Sequence, residues 1–253
     1  MKTFFSDLDN TLIFSHRKKG VEDKIPVEYL NGKEQSYMPG ELARLLTDNQ
    51  EILLVPVTTR SIEQYLRVHG MTEIAHNKHA LVCNGGVLLI NGIVDDEWLR
   101  ESIELSRIQT SEVSILLKKV REDGKAKSIN VLQDFMFYFV CDDVDNYYCY
   151  LKEIANLNNV FIEKDSRKIY VIASNINKGA CVKRYIKRFG VKDFFTAGDS
   201  KFDISMLELE SKAIASAELQ GYLRNNKVTY SEGEFLFQDI CSLINNIVIE
   251  DGR

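Results

Sequence analysis

Phe4-Phe5-Ser6-Asp7-Leu8-Asp9-Asn10-Thr11-Leu12 stands at the start of the chain, an apolar run of strand length followed by two carboxylates spaced by one residue. Such a spacing sets an acid pair at the carboxyl end of a strand, the edge at which open α/β sheets bind ligands. Three fragments downstream complement it: Val57-Thr58-Thr59-Arg60, Asn177-Lys178-Gly179 and Gly198-Asp199-Ser200-Lys201-Phe202-Asp203. They add hydroxyls, cations and further carboxylates.

Outward from these fragments, apolar runs of strand length alternate with segments of helical spacing, the pattern of an α/β fold with a mainly parallel sheet. Core strands are predicted over Thr3 to Ser6, Ile52 to Val57, Ala80 to Cys83 and Phe194 to Ala197, and helices over Glu41 to Thr47, Ser61 to Val68 and Gly179 to Phe189. Proline removes a ladder donor, so a bulge or distortion is expected at Pro56. The polar connection from Ser15 to Gly40 is long for a compact domain, and its Asn31-Gly32 suggests a small hairpin near the site mouth.

The middle third reads differently. Asn84-Gly85-Gly86 breaks the chain, and Asn91-Gly92 between Val87 to Ile90 and Ile93 to Glu97 is a hairpin signal. One helix is predicted over Glu101 to Val120 and another over Asp143 to Leu157. Strands are expected at Ser128 to Leu132, Phe135 to Phe139, Val160 to Ile162 and Lys168 to Ile172. The alternating aromatics of Phe135 to Phe139 read as the core of this module. The fold class is therefore α/β, a Rossmann-like parallel-sheet core over residues 1–85 and 173–253 with an inserted α/β cap over 86–172.

The chain has 253 residues, enough for a full core. Lys plus Arg number 32 against 37 Asp plus Glu, a net charge of −5, and the basic residues are scattered apart from His16-Arg17-Lys18-Lys19. That balance argues against a nucleic-acid partner. No stretch approaches the roughly 18 apolar residues of a membrane span, so no membrane partner is expected. Met1-Lys2-Thr3 leads into no secretory-type apolar segment, and the expected address is cytoplasmic. Five cysteines with no CxxC spacing read as small buried apolar residues rather than a disulfide or zinc framework.

The four fragments together suit metal-assisted phosphoryl transfer. Asp7 is the candidate nucleophile, forming an aspartyl-phosphate that divides one hard step into two easier ones. Asp9 is the candidate acid toward the leaving oxygen and then base toward water, help typically worth about 10²–10⁴-fold. A phosphate dianion is repelled by carboxylates unless cations screen it. Mg²⁺ prefers carboxylates, waters and phosphate oxygens, which Asp7, Asp199 and the Asp9 carbonyl could supply, while Lys178 neutralises charge and Thr58 and nearby N–H groups bind phosphate oxygens. Asp-Xaa-Asp alone is more often a turn, Lys-Gly alone a solvated helix start and Gly-Asp-Ser alone an N-cap. It is the four in order that carry the reading.

Asp7-Leu8-Asp9-Asn10-Thr11, Thr58 before Arg60, Lys178-Gly179 and Gly198-Asp199-Ser200 with Asp203 and Met206 resemble the four ordered motifs of the haloacid dehalogenase superfamily of phosphohydrolases. The chain is similar to its Cof-type and sucrose-phosphatase-like branch, which carries an α/β cap between the second and third motifs. The resemblance implies a Mg²⁺-dependent phosphatase. Catalytic roles fall to Asp7, Asp9, Thr58 and Lys178, substrate binding to Thr58, Thr59, Arg60 and Lys178, and metal binding to Asp7, Asp9, Asp199 and Asp203. In the family the last aspartate supports the metal shell and the lysine. Two positions depart from the branch: Thr59 stands where glycine is usual, and Phe202 where a small polar residue usually precedes the last aspartate.

The expected substrate, and the one partner expected, is a small phosphorylated metabolite, most plausibly a sugar phosphate, selected by the cap. Two alternatives stand beside hydrolysis: a phosphotransferase or phosphomutase, and a weakly active protein that binds a phosphorylated ligand. Which substrate and which oligomeric state are left open by the sequence.

Overall fold

The computed structural model describes residues 1–71 and 78–251. The chain divides into two compact units, Met1–Val94 with Lys178–Arg253 and, between them, Asp95–Asn177. The larger unit is built on a five-stranded, all-parallel sheet in the order β15 (Val228–Ser231), β14 (Lys212–Ser216), β13 (Phe194–Gly198), β1 (Lys2–Ser6), β5 (Ile52–Pro56). A parallel sheet is covered on both faces and its strands read as continuous apolar runs. This explains consecutive Phe4 and Phe5, both fully buried. Phe4 stacks on Phe195 of the neighbouring strand at 4.5 Å between ring centroids, while Phe5 meets Tyr185 edge-on at 5.4 Å. Tyr185 belongs to α6 (Lys178–Phe189), so that helix covers one face at the centre of the sheet.

Three of the four predicted core strands lie in this sheet. The fourth does not. β6 (His79–Val82) pairs antiparallel with β7 (Val87–Ile90), which pairs with β8 (Ile93–Val94), and this small sheet lies beside β5, with a parallel bridge from Val57 to Leu81. β14 and β15 had no sequence prediction, because both are short and of mixed polarity and gain their burial only from distant partners. The distortion expected at Pro56 is absent. Pairing with β1 runs unbroken from Lys2–Ile52 to Ser6–Pro56, and β5 is the outermost strand of the sheet. Val57 N donates to Ser6 O, so by alternation the missing proline donor points to the open edge.

The 15–40 connection is a three-stranded antiparallel sheet in the order β2 (Phe14–Ser15), β4 (Lys33–Pro39), β3 (Lys24–Leu30). Asn31 and Gly32 turn it at φ 52° and 72°, as expected for this dipeptide. Asn91-Gly92 turns β7 into β8 in the same way, at φ 54° and 77°. That hairpin ends at Val94 because Asp95 caps the next helix, its carboxylate accepting from Trp98 N at 2.8 Å. The division between units thus falls after Val94, with β7 and β8 kept in the larger unit by β6, rather than at 85/86.

The smaller unit carries a four-stranded antiparallel sheet in the order β11 (Val160–Asp165), β12 (Lys168–Ala173), β10 (Met136–Val140), β9 (Ser128–Val131). The helix predicted over Glu101 to Val120 is two: α3 (Asp96–Ser106) and α4 (Thr110–Asp123). Ser102 and Ser106 hydroxyls donate back to the carbonyls of Trp98 and Ser102 at 3.0 and 2.8 Å, a competition with the helix ladder that favours a bend or an end. α4 and α5 (Val144–Ile154) pack on the sheet. Phe135 to Phe139 are buried, as a core strand requires, and Trp98 is fully buried. Four cysteines are buried as expected, and Cys149 is exposed.

Candidate active site

Asp7 follows the last residue of β1 directly, and its N–H donates to Ala197 O at 2.9 Å, which ties it to the end of β13. Asp199 follows Gly198, the last residue of β13, and Asp203 precedes α7 (Ile204–Leu207). Lys178 is the first residue of α6. Four residues scattered through the sequence thus meet at one carboxyl edge of the parallel sheet, next to the central strands.

Lys178 is the organising group. Fully buried, it donates from Nζ to Asp7 Oδ1 and to Asp203 Oδ1, each at 2.5 Å. Its charge is held well above the ordinary lysine range: burial opposes this, but the two carboxylates outweigh burial. Asp203, also fully buried, accepts from Ser200 N and Ser200 Oγ at 3.0 Å with its other oxygen. Its two oxygens are therefore occupied in holding Lys178 and the 200–203 turn. Gly179 lets this helix start approach closely, since a Cβ there would lie 2.0 Å from Ser205 O and 2.4 Å from its carbonyl carbon.

Asp7, Asp199 and Asp203 each bring a carboxylate oxygen to within 4.8 Å of the others, the group of this kind found among the described residues. Burial pushes the Asp7 carboxyl up to about 7, with Lys178 opposing and Asp203 and Asp9 adding to the rise. Asp199 is likewise raised by burial and by Asp7 and Asp203. One ammonium against three carboxylates, two buried and one half-buried, leaves the cluster short of positive charge, and hard oxygens in this state fit a hard divalent cation. Asp7 Oδ2 and Asp199 take no part in the Lys178 pairs. The Thr11 hydroxyl lies between them, 3.4 Å from Asp7 Oδ2 and 3.5 Å from Asp199 Oδ1.

Asp9, half exposed, is gripped by Arg60: Nε donates to Oδ2 at 2.8 Å and Nη2 to Oδ1 at 2.7 Å. Such fork-to-fork pairing fixes orientation as well as adding energy. Arg60 also donates to Gln64 O from Nη1 at 3.1 Å and to Glu28 Oε2 from Nη2 at 3.0 Å. The guanidinium expected on the substrate side is thus engaged with protein groups. Thr58 is buried, its hydroxyl accepting from Arg60 N at 3.2 Å. Thr59 is half-buried and Phe202 buried. The turn at Cys83 and Asn84, both at positive φ (51° and 58°), braces the Thr58–Arg60 loop by donating from Cys83 N to Arg60 O and from Asn84 N to Thr58 O.

Sequence reading did not single out Glu28, Ser200 or Thr11 for a role. Thr11 and Ser200 lay inside the quoted fragments and were legible by position. Glu28 carried no signal, being one acid in a polar hairpin.

The larger unit is an all-parallel Rossmann-like core with carboxylates at its carboxyl edge, and an α/β unit is inserted between the second and third fragments. No protein-family model matches the chain, and no curated protein matches it in sequence. Solved structures do. The sucrose-phosphatase from Synechocystis, in complex with sucrose and phosphate, superposes with a TM-score of 0.62 at 13% identity, covering 96% of this chain and 98% of that one. A HAD/COF-like hydrolase from Plasmodium vivax gives 0.70 at 13% identity over 99% and 96%. A sugar phosphatase of HAD subclass IIB gives 0.58 at 15% over 98% and 100%. These likenesses establish the fold.

Proposed function

We propose that the protein is a divalent-cation-dependent phosphatase acting on a small phosphorylated metabolite, a sugar phosphate above others. The observation that carries this is the meeting of Asp7, Lys178, Asp199 and Asp203 at the carboxyl edge of the sheet, with Asp9 held separately by Arg60. A structural ion cluster would not need a carboxylate surplus in a buried place.

In this reading an Asp7 oxygen attacks phosphorus and the ester P–O bond breaks, the leaving alkoxide taking a proton from Asp9. Asp9, now the carboxylate, takes a proton from water as that water attacks the phosphorus of the aspartyl-phosphate. The P–O bond to Asp7 then breaks, returning Asp7 and releasing inorganic phosphate. Lys178 holds Asp7 in line and carries positive charge toward the transferring group, while the Thr58 hydroxyl and loop N–H groups receive phosphate oxygens. Asp7 and Asp199 would hold Mg²⁺, which when bound supplies charge neutralisation for the phosphate and the attacking carboxylate. Asp203 acts by positioning Lys178. Residues Asp95–Asn177 select the leaving group, and the sugar class rests on the neighbours named above.

The test is phosphate release from a panel of sugar phosphates and p-nitrophenyl phosphate, with Mg²⁺ or EDTA, beside Asp7→Asn. Metal-dependent release that vanishes in the variant is expected. Release that survives Asp7→Asn would overturn the assignment of the nucleophile.

A further inference from the structure

Glu28 is a carboxylate where a hairpin strand should not bury one. Alternation along β3 would place Val27 inward and Glu28 outward, yet both are buried, at 2% and 3% exposure. The register of β3 against β4 shifts on either side of Glu28. Bulges of this kind re-aim a side chain. Val27 O accepts from His69 N at 2.7 Å, and Glu28 bridges to Val68, which holds the bulge against the segment after α2 (Ile62–Leu66).

Re-aimed, Glu28 meets three donors. Oε2 accepts from Ser36 Oγ at 2.9 Å and from Arg60 Nη2 at 3.0 Å, and Oε1 accepts from Arg67 Nη2 at 3.2 Å. The same Arg60 Nη2 also donates to Asp9 Oδ1 at 2.7 Å. One guanidinium nitrogen is shared between the hairpin carboxylate and Asp9.

We infer that Glu28 is a positioning residue: it fixes Arg60 at the same Nη2 that Asp9 accepts from, and through Arg60 it holds the Asp9 carboxyl in the orientation that acid–base transfer requires. This rests on the phosphatase reading above. Stability alone gives little reason for such a carboxylate, because buried ion pairs are often replaceable by apolar packing without loss. Arg60 without Glu28 would keep its charge but lose one of two fixed anchors. Misplacement of a catalytic group by a fraction of its reach costs rate without costing the fold.

A structural role and a positioning role differ in their dependence on the leaving group. p-Nitrophenolate departs without a proton, whereas phenolate, a poorer leaving group, needs one from Asp9. The experiment measures kcat and KM of the full chain with Mg²⁺ on p-nitrophenyl phosphate and phenyl phosphate, for wild type, Glu28→Gln, Asp9→Asn and the double variant. Glu28→Gln is expected to lower kcat on phenyl phosphate roughly tenfold and on p-nitrophenyl phosphate less than about threefold, part of the 10²–10⁴-fold that acid–base help supplies. KM should be unchanged. Added to Asp9→Asn it should not tilt the ratio further, the non-additivity of groups acting as one unit.

Equal losses on both substrates, or a further tilt in the double variant, would overturn the inference while leaving the phosphatase in place. A wild-type protein silent on both substrates would overturn the phosphatase reading and this inference with it. Ser36→Ala removes one anchor of Glu28 and keeps every charge, and it serves if Glu28→Gln fails to fold. It should tilt the ratio in the same direction by less, and an unchanged ratio would count against Glu28.

Discussion

Replacing Lys178 by methionine would keep most of its apolar bulk and remove the one cation inside the carboxylate cluster. Both of its ion pairs, to Asp7 and Asp203 at 2.5 Å, are buried. Breaking a buried pair by removing one partner costs about 3–5 kcal/mol, a large share of the roughly 5–15 kcal/mol that holds a domain together. The cost depends on pH in a way the geometry dictates. Asp7 titrates at about 7 in the folded chain against 3.8 as its ordinary value, with Lys178 as the main group opposing the rise. A raised carboxyl contributes stability below its unfolded value that is lost as pH rises through its folded value, because the folded state then binds more protons than the unfolded one.

Without Lys178 the main group opposing the rise is gone, so Asp7 is raised further and the folded variant holds its proton to higher pH than the wild type does. The stability gap should therefore narrow by an amount on the order of 1 kcal/mol as pH falls from 8 to 6. Urea unfolding in EDTA at the two pH values measures it. A gap under about 1 kcal/mol at pH 8, far below the expected range, or one that widens toward pH 6, would refute the buried-pair argument.

Asp7→Asn should remove metal-dependent turnover by at least about 10³-fold, as loss of a covalent nucleophile does, while keeping the far-UV spectrum; retained turnover in single-turnover assays would refute it. Gly179→Ala would drive a Cβ to 2.0 Å from Ser205 O, so a stability loss of about 1–3 kcal/mol is expected by calorimetry, in line with overpacking elsewhere; an unchanged Tm would contradict the close approach. Glu28 is the opposite case to Asp7 in pH. Burial would raise it, but the hydrogen bond and charge of Arg60, with Ser36 and Arg67, hold it below its ordinary 4.5. Its stabilisation is present above that value and lost as pH falls through the folded one. Wild type and Glu28→Gln should differ in denaturant midpoint at pH 7 and converge as the pH falls below 4.5, and a constant difference would refute the ion network. Saturating Mg²⁺ at about 100-fold its Kd should add about 2.7 kcal/mol to wild-type stability, and markedly less to Asp199→Asn.

Local chemistry made several elements legible. Asn31-Gly32 and Asn91-Gly92 turn their hairpins because those residues accept positive φ, and β1, β5 and β13 announce themselves because strands buried on both faces are apolar throughout. Other elements were not legible. Ala80 to Cys83 has the composition of a core strand, yet its hydrogen bonds go to β7 in a separate sheet. The break between α3 and α4 lies in serines whose competition with the helix shows only in three dimensions.

The candidate site divides along the same line. The order and spacing of Asp7, Asp9, Thr58, Lys178, Asp199 and Asp203 stand in the sequence, and so does the acid-rich chemistry they share. Their roles relative to one another do not, because a charge acquires its partner only when distant segments meet. The fold alone decides that Lys178 sits between Asp7 and Asp203, that Arg60 grips Asp9, and that a bulge turns Glu28 from a solvated hairpin position into a buried anchor for Arg60. Sequence specifies which groups are present, while burial and distance, set by tertiary packing, determine which charges are compensated and which are left for a ligand.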